Sequence, residues 1–422
     1  RSVLAINAVL RSHSDKDPIG QSPLPVVTFN PNAELVRTLD KRLEIVAKSA
    51  HRGHHRQINY IPLSPDEIRS GIETQVARHR GLSAVYQDLL DFGGEEMYIV
   101  VPPTGVRTFG EYFQRASDSI PIGVLTDGTV DLWPNWSAEL SGKSVIVLAT
   151  DRPGATRLKP AIESGMEILG ARSAGRSPRS QPENFLFIGW SSSAEELRIA
   201  LPKLLPVNSS LTVLLRKSQA GPTDSSFGAS SINVIHRDLL DPLDEPDFLS
   251  RFHHVVVFAD METSAQKSDA QVLTDLIMCR HYADAIADTT RRFTIVGELR
   301  RRSSRYVAGV RLADDLLISD SLMAAAATQL VIQPELESVL TGLLSVDDPV
   351  EIITVPLKSF DDVATGNSWA EVQNTVAVST GEIALGYRED VDGVGQVVLN
   401  PLKDARVPLS AELIVLSQAS LG

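Results

Sequence analysis

This chain repeats itself. Residues 68–151 run from a helical stretch, Ile68–Phe92, into a small domain that closes on the strand Ser144–Asp151. Residues 321–417 make the same passage, through the helical stretch Ser321–Leu344, the strand Val350–Val355, another helix and the closing strand Glu412–Ser417. Setting Leu89-Leu90 on Leu343-Leu344 gives an offset of roughly 254 residues. A period of that length belongs to a duplicated domain rather than to a solenoid. The second copy has a complete α/β pattern in front of it, and the first copy has half of one.

The complete pattern begins at Asn184–Gly189, a short apolar run ended by glycine that reads as a buried strand. Helix Ala194–Leu205 follows, then strands Leu211–Leu215, Ile232–Ile235 and His254–Ala259. Helix Ala270–Ala283, strand Phe293–Val296, helix Ser304–Leu312 and strand Leu316–Ser319 complete it. Apolar strands alternating with helices imply a parallel sheet covered on both faces, and six of them imply a Rossmann-like domain. The start of the chain matches only the last part of this pattern. Val3–Ser12 matches Val272–His281, Val26–Asn30 matches Phe293–Val296, Ala33–Leu43 matches Ser304–Leu312, and Ile58–Leu63 matches Leu316–Ser319. Two strands and two helices are not expected to be stable alone. The expectation is that upstream residues exist in the natural protein; the alternative is a first copy that decayed and leans on the second.

Each half is followed by helices and a small α+β lobe. In the first copy the lobe comprises strand Glu96–Val101, helix Thr108–Ala116 and the hairpin Ile120–Leu125/Thr129–Leu132, turned at Asp127-Gly128. In the second it comprises Val350–Val355, Trp369–Ala377, Ile383–Tyr387 and Gln396–Leu399. The expected division is 1–92, 93–151, a linker 152–183, then 184–320, 321–349 and 350–422. The linker rests on Ala171–Gln181, rich in Arg, Ser, Gly and Pro, which buries nothing; a basic patch for lipid headgroups is the other reading.

A length of 422 residues calls for two or three domains. No run approaches the ~18 apolar residues of a membrane span, and the chain reads as having no secretory leader. The net charge of −13 argues against nucleic acid as a partner. The single cysteine, Cys279, excludes a disulfide framework and a cysteine-based zinc site, and its apolar neighbours read it as core. A reducing cytoplasm fits this usage.

Short matches then narrow the family. Ile188-Gly189-Trp190 ends the first strand of the second copy and Ala259-Asp260 the fourth. Ser268-Asp269-Ala270 opens the next helix, Glu298-Leu299 follows the fifth strand, and Gly386-Tyr387-Arg388 sits in the small lobe. With Tyr86–Phe92 of the first copy, they resemble the cytosolic portion of the CASTOR and POLLUX ion channels, a tandem of RCK (KTN plus TrkA-C) domains. The Ala, Arg and Asp bias suggests a bacterial member. The resemblance implies an α/β fold of tandem RCK repeats, each a doubly wound parallel sheet with crossover helices and a small α+β lobe, the first truncated at its N-terminus. It implies a homo-oligomer, a dimer of tandem units and a tetramer in the full channel, with an upstream pore for a cation, potassium being the ion implied, on the cytoplasmic side of a membrane. It also implies that the crossover helices join neighbours; the small residues Ala324–Ala327 would serve that approach or pack within their own domain. A soluble regulatory subunit of a transporter and a Rossmann oxidoreductase are the alternatives.

The chemistry points away from catalysis. A dinucleotide site needs Gly-x-Gly-x-x-Gly after the first strand, whereas Gly189-Trp190-Ser191-Ser192-Ser193 keeps one glycine and places a tryptophan beside it. Arg216-Lys217 stands where the ribose-binding acid belongs. No NAD binding is therefore expected in the second copy. Gly189, Ser191 and Ser192 are phosphate candidates at a helix start, or simply caps. Asp260, Glu262 and Glu298, at the ends of the fourth and fifth strands, are candidates for a divalent cation such as calcium, or caps and solvated loop acids. No other cofactor is implied. His51, His54 and His55 have no recognised metal spacing, and the pairs Asp314-Asp315 and Asp347-Asp348 read as turn or cap residues. No catalytic constellation stands out.

Overall fold

The computed structural model describes residues 24–29, 58–63, 65–91, 93–160, 181–216, 219–238, 248–286, 293–308, 311–345, 350–360, 367–391 and 394–418. Five of the segments read above lie outside them: Val3–Ser12, Ala33–Leu43, residues 171–180, the three histidines, and Asp347-Asp348.

The six-stranded sheet is built from β7 (Asn184–Ile188), β8 (Ser210–Leu215), β11 (Asn233–His236), β12 (His254–Val257), β13 (Thr294–Leu299) and β14 (Asp315–Ile318). A two-strand ribbon, β9 (Ser226–Phe227) with β10 (Ser230–Ser231), precedes β11. The order is β11-β8-β7-β12-β13-β14, and every pairing is parallel. This is the 3-2-1-4-5-6 order of a doubly wound sheet, whose switch point lies between β7 and β12. Both faces are buried. Phe185, Phe187, Val256, Phe258 and Val296 point into one core, and Leu186, Ile188, Val255, Val257 and Ile295 into the other. The second core is closed by α6 (Ala265–Ala285), where Cys279 is fully buried and its thiol is pushed up by burial.

The first copy contributes β1 (Leu24–Phe29) and β2 (Ile58–Leu63), paired in parallel like β13 and β14. Its small lobe holds β3 (Glu96–Val100), α3 (Phe109–Arg115), β4 (Ser119–Thr126), β5 (Thr129–Leu132) and β6 (Ser144–Ala149), in the order β3-β6-β4-β5. The second small lobe holds β15 (Val350–Pro356), α10 (Trp369–Thr380), β16 (Ile383–Val391), β17 (Val394–Leu399) and β18 (Glu412–Gln418), in the order β15-β18-β16-β17. The two orders are the same. The agreement reaches irregular detail. Both central strands shift register before a glycine, Gly123 and Gly386, and both hairpins end on a non-glycine residue with positive φ, Trp133 and Asn400. Close approach requires the second glycine, since a Cβ on Gly386 would lie 2.2 Å from the Val398 carbonyl oxygen.

Two expectations are revised. The stretch Ile68–Phe92 is two helices, α1 (Pro65–Arg78) and α2 (Leu82–Leu90), broken where Gly81 takes φ +84°. Likewise Ser321–Leu344 is α8 (Ser319–Ile332) and α9 (Glu337–Leu344), parted by a 3-10 turn at Pro334. The segment after residue 151 is not all linker. Asp151 caps a short helix, α4 (Arg152–Thr156), and Leu158 bridges back to Ala116, so this part packs on the first small lobe. Among the described residues no helix is long and apolar enough to cross a membrane.

Candidate functional site

In an open parallel sheet the binding crevice lies beyond the carboxyl ends of the strands at the switch point. Here Gly189 turns with φ +86°, Trp190 follows, and α5 (Ser192–Ala200) begins with Ser191 as its cap. The Ser191 hydroxyl accepts from the Ala194 N–H at 3.4 Å, so the phosphate candidates Gly189, Ser191 and Ser192 form a turn and a cap; Ser192 is exposed. The serine that matters is its neighbour. Ser193 is fully buried and donates to Glu298 Oε1 at 3.1 Å, while the Ala259 N–H donates to Glu298 Oε2 at 3.2 Å. A buried carboxylate thus sits inside the crevice, tied to the first turn of α5 and to the residues just after β12. Its negative charge opposes a pyrophosphate there.

Asp260 and Glu262 belong to the next loop. Asp260 Oδ1 accepts from the Glu262 N–H, the Asp260 N–H donates to Ser268, and Glu262 faces solvent. The cation over this loop is Arg300, whose guanidinium donates to the carbonyls of Asp260 and Thr263. Asp269 accepts from the Arg300 and Arg301 N–H groups and from the Ser304 hydroxyl, and so caps α7 (Arg302–Ala308). Among the described residues no three His, Cys, Asp or Glu side chains converge as a metal-holding set. Sequence reasoning placed Ser193 at a helix start and Asp269 in a family match, without the contacts they make here, and missed Arg300. At the end of β8, Arg216 pairs with buried Asp275 and not with a free ligand position. Calorimetric titration of the chain with NAD is expected to give no binding heat at tens of micromolar; a micromolar dissociation constant would overturn this reading of the crevice.

The larger construction is what covers this sheet. Helix α1 of the first copy lies against α5, β12 and β13 of the second, joining Ile72 and Val76 to the core under Phe187, Val256 and Phe258. In return α8 of the second copy lies against β1 and α2 of the first. The small lobes repeat the exchange, for α9 packs on β5 and α2 on β17. Two buried hydrogen bonds mark the symmetry. Gln75 Nε2 donates to the Leu343 carbonyl at 3.1 Å, and Gln329 Nε2 to the Leu89 carbonyl at 2.9 Å. Donors and acceptors are related by the same offset of 254 residues, 75 to 329 and 89 to 343. Ala325, Ala326 and Ala327 of α8 pack on the core that the two copies share, with Ala326 fully buried, whereas Ala324 is exposed.

Polar contacts hold this junction in register. Arg78 Nη1 meets Glu351 Oε2 at 3.0 Å, with side chains 3% and 7% exposed. Gln75 Oε1 accepts from the Ile352 N–H and the Tyr86 hydroxyl. Asp315, at the start of β14, accepts from the Gly81 and Ser83 N–H groups at 2.7 and 2.9 Å, and caps α2 across the junction where Gly81 has no side chain to do so. Asp314 accepts from the Ile295 N–H and pairs with Arg80 and Arg280. Between the small lobes, Trp133 Nε1 donates to the Gly381 carbonyl and Asn400 Nδ2 to Glu95.

Comparison with known proteins agrees with this architecture. Residues 66–164 match the family model described as Castor and Pollux, part of voltage-gated ion channel. Among solved structures the chain is similar to the human SLO3 gating ring, with TM-score 0.56, 11% identity, and coverage of 98% of this chain and 84% of that one. At that identity the likeness is one of fold. The chain is also similar to the GsuK RCK domain, at 16% identity, 98% and 76% coverage and TM-score 0.34. No curated protein matches the chain.

Proposed function

We propose that this chain, whose residues 66–164 match the Castor and Pollux family model and whose fold is similar to that of a gating ring, is the sensing and gating part of a cation channel and does not turn over a substrate. In this reading it lies on the cytoplasmic side of a membrane, follows a pore, and assembles as a tetramer so that eight repeats form a ring. Potassium is the permeant ion the reading favours. Binding of a ligand to the ring would change its shape and pull on the pore, which is a coupling free energy between two sites.

The observation that supports it best is the reciprocal exchange of crossover helices. Each copy's sheet is covered by a helix that belongs to the other copy. A change in one unit must then displace the other, as a mechanical transmitter requires. An enzyme needs an open crevice, and this one is occupied by the Glu298 carboxylate and its partners. The alternative reading is a separate regulatory subunit of a transporter, and it differs in what precedes residue 1. The complete reading frame should encode hydrophobic spans of about 20 residues upstream. Its purified product, reconstituted in vesicles, should carry a potassium flux. A complete product without spans and without flux would favour the separate subunit instead.

A further inference from the structure

Helix α1 is unusual in the polar residues it buries. Glu73 is 4% exposed, and neither carboxylate oxygen has a hydrogen-bond partner among the described residues. A buried carboxylate without partners costs several kcal/mol when ionised and far less when protonated. The charged groups facing it make ionisation harder still. Among the described residues they are Glu298 at the end of β13, Glu196 on α5, and Arg69, of opposite sign, one turn earlier on α1 itself. Other elements packed on α1 offer no relief. The histidine of β12, His254, is bound at the opposite end of that strand to Glu183 and Thr294. Glu351 of β15 is committed to Arg78. Asp88 of α2 lies by Glu95 and Asp91, at the far end of that helix. Glu337, the ionisable residue of α9, lies in its first turn. Beside Glu73 lies a cavity of about 10 Å³ walled by Ile72, Arg69, Leu317 and Met323, about the room one water needs.

We propose that the junction between α1 and the six-stranded sheet is a proton-linked clamp, closed when Glu73 carries a proton beside Glu298 and Glu196 and loosened when it gives that proton up. Burial first, then Glu298, hold the Glu73 carboxyl well above its ordinary value of 4.5. Asp315 is a second proton site at the same junction. Burial outweighs its hydrogen bonds and pushes it from 3.8 to about 6. The sign follows from linkage. An acid whose value is raised in the closed state binds more protons there than in the open state. Closure is therefore strongest at low pH and weakens as pH rises, from 3.8 to about 6 for Asp315 and from 4.5 upward for Glu73. For Asp315 alone, two units correspond to roughly a hundred-fold in the closing equilibrium. The inference does not depend on whether the chain serves a pore.

The test is amide exchange of Pro65–Leu90 in the full chain between pH 4.5 and 8.5, corrected for intrinsic rates. Protection in the wild type should fall as pH rises, with a maximal slope approaching two protons. Glu73→Gln, a neutral isostere, should bring that slope from near two toward one and raise protection at pH 8. Glu298→Gln keeps the fold's hydrogen-bonding capacity and should move the Glu73 step to lower pH. If Glu73→Gln fails to fold, the Glu298→Gln shift decides the matter. Wild-type slope and midpoint in the folded variants, or protection that rises with pH, would overturn the clamp.

Discussion

Arg78→Ala is expected to destabilise the chain by about 3–5 kcal/mol, because it leaves Glu351 charged and buried without its guanidinium partner. In thermal melting that is a fall on the order of 10 °C. The loss is larger than for a surface pair, where the same substitution costs about 1 kcal/mol or less. Arg78 is also the last residue of α1, where a cation suits the carbonyl end of the helix. The prediction carries its own control. Replacing both partners with apolar residues of similar volume, Arg78→Met with Glu351→Leu, removes the stranded charge. The double variant should recover most of the stability, whereas two independent losses would add. A single variant within 1 kcal/mol of wild type would mean that the pair does not hold α1 to β15.

Gly71→Val is expected to force the two copies apart. A Cβ at residue 71 would lie 1.7 Å from the Leu344 carbonyl oxygen and 2.8 Å from its carbon. These are backbone atoms of α9, so no side-chain rotation relieves the clash. Overpacking a tight site costs about 1–3 kcal/mol and sometimes more. Here α1 must also retreat from the Gln75–Leu343 hydrogen bond. Exchange protection should drop in α1 and α9 together while β4 and β6 of the first small lobe keep theirs. The repeat supplies the comparison. The position related to Gly71 by the 254-residue offset is Ala325, which already carries a Cβ and is half-buried. Ala325→Gly should therefore cost only about 1 kcal/mol, the usual penalty of glycine within a helix. Equal effects at the two positions would contradict the close approach at Gly71.

Much of this was legible in the chain because it depends on local pattern. Apolar runs such as Phe185–Ile188 and Val255–Val257 announce strands buried on both faces, and Asp127-Gly128 announces a hairpin turn. The duplication was visible because two small lobes with the same strand order keep the same spacing of apolar residues and turns. Other features depend on distant partners, and sequence could not supply them. Glu73, Thr74, Gln75, Arg78 and His79 are polar, and nothing in the sequence marks them as buried. They are buried because a second sheet and β15 come to meet them, and the burial is tolerable where Arg78, Thr74 and Gln75 find partners. Glu298 could be placed at a strand end, as expected, but nothing in its neighbourhood signalled that Ser193 and the Ala259 N–H would hold it inside. The break after Arg78 had one signal, Gly81, whose positive φ needs no side chain. The choice of partner for the crossover helices was open in the sequence, since an apolar helix face does not say which sheet it will cover.

The coupling of the two copies to a gate is tested most directly by recording the complete protein in a bilayer with Arg78→Met, Glu351→Leu and the double substitution. If the exchanged helices transmit motion, each single variant shifts the open probability, the double variant returns it toward wild type, and the conductance of the open pore stays the same. Single variants with wild-type gating, or a complete protein that passes no ions, would contradict it.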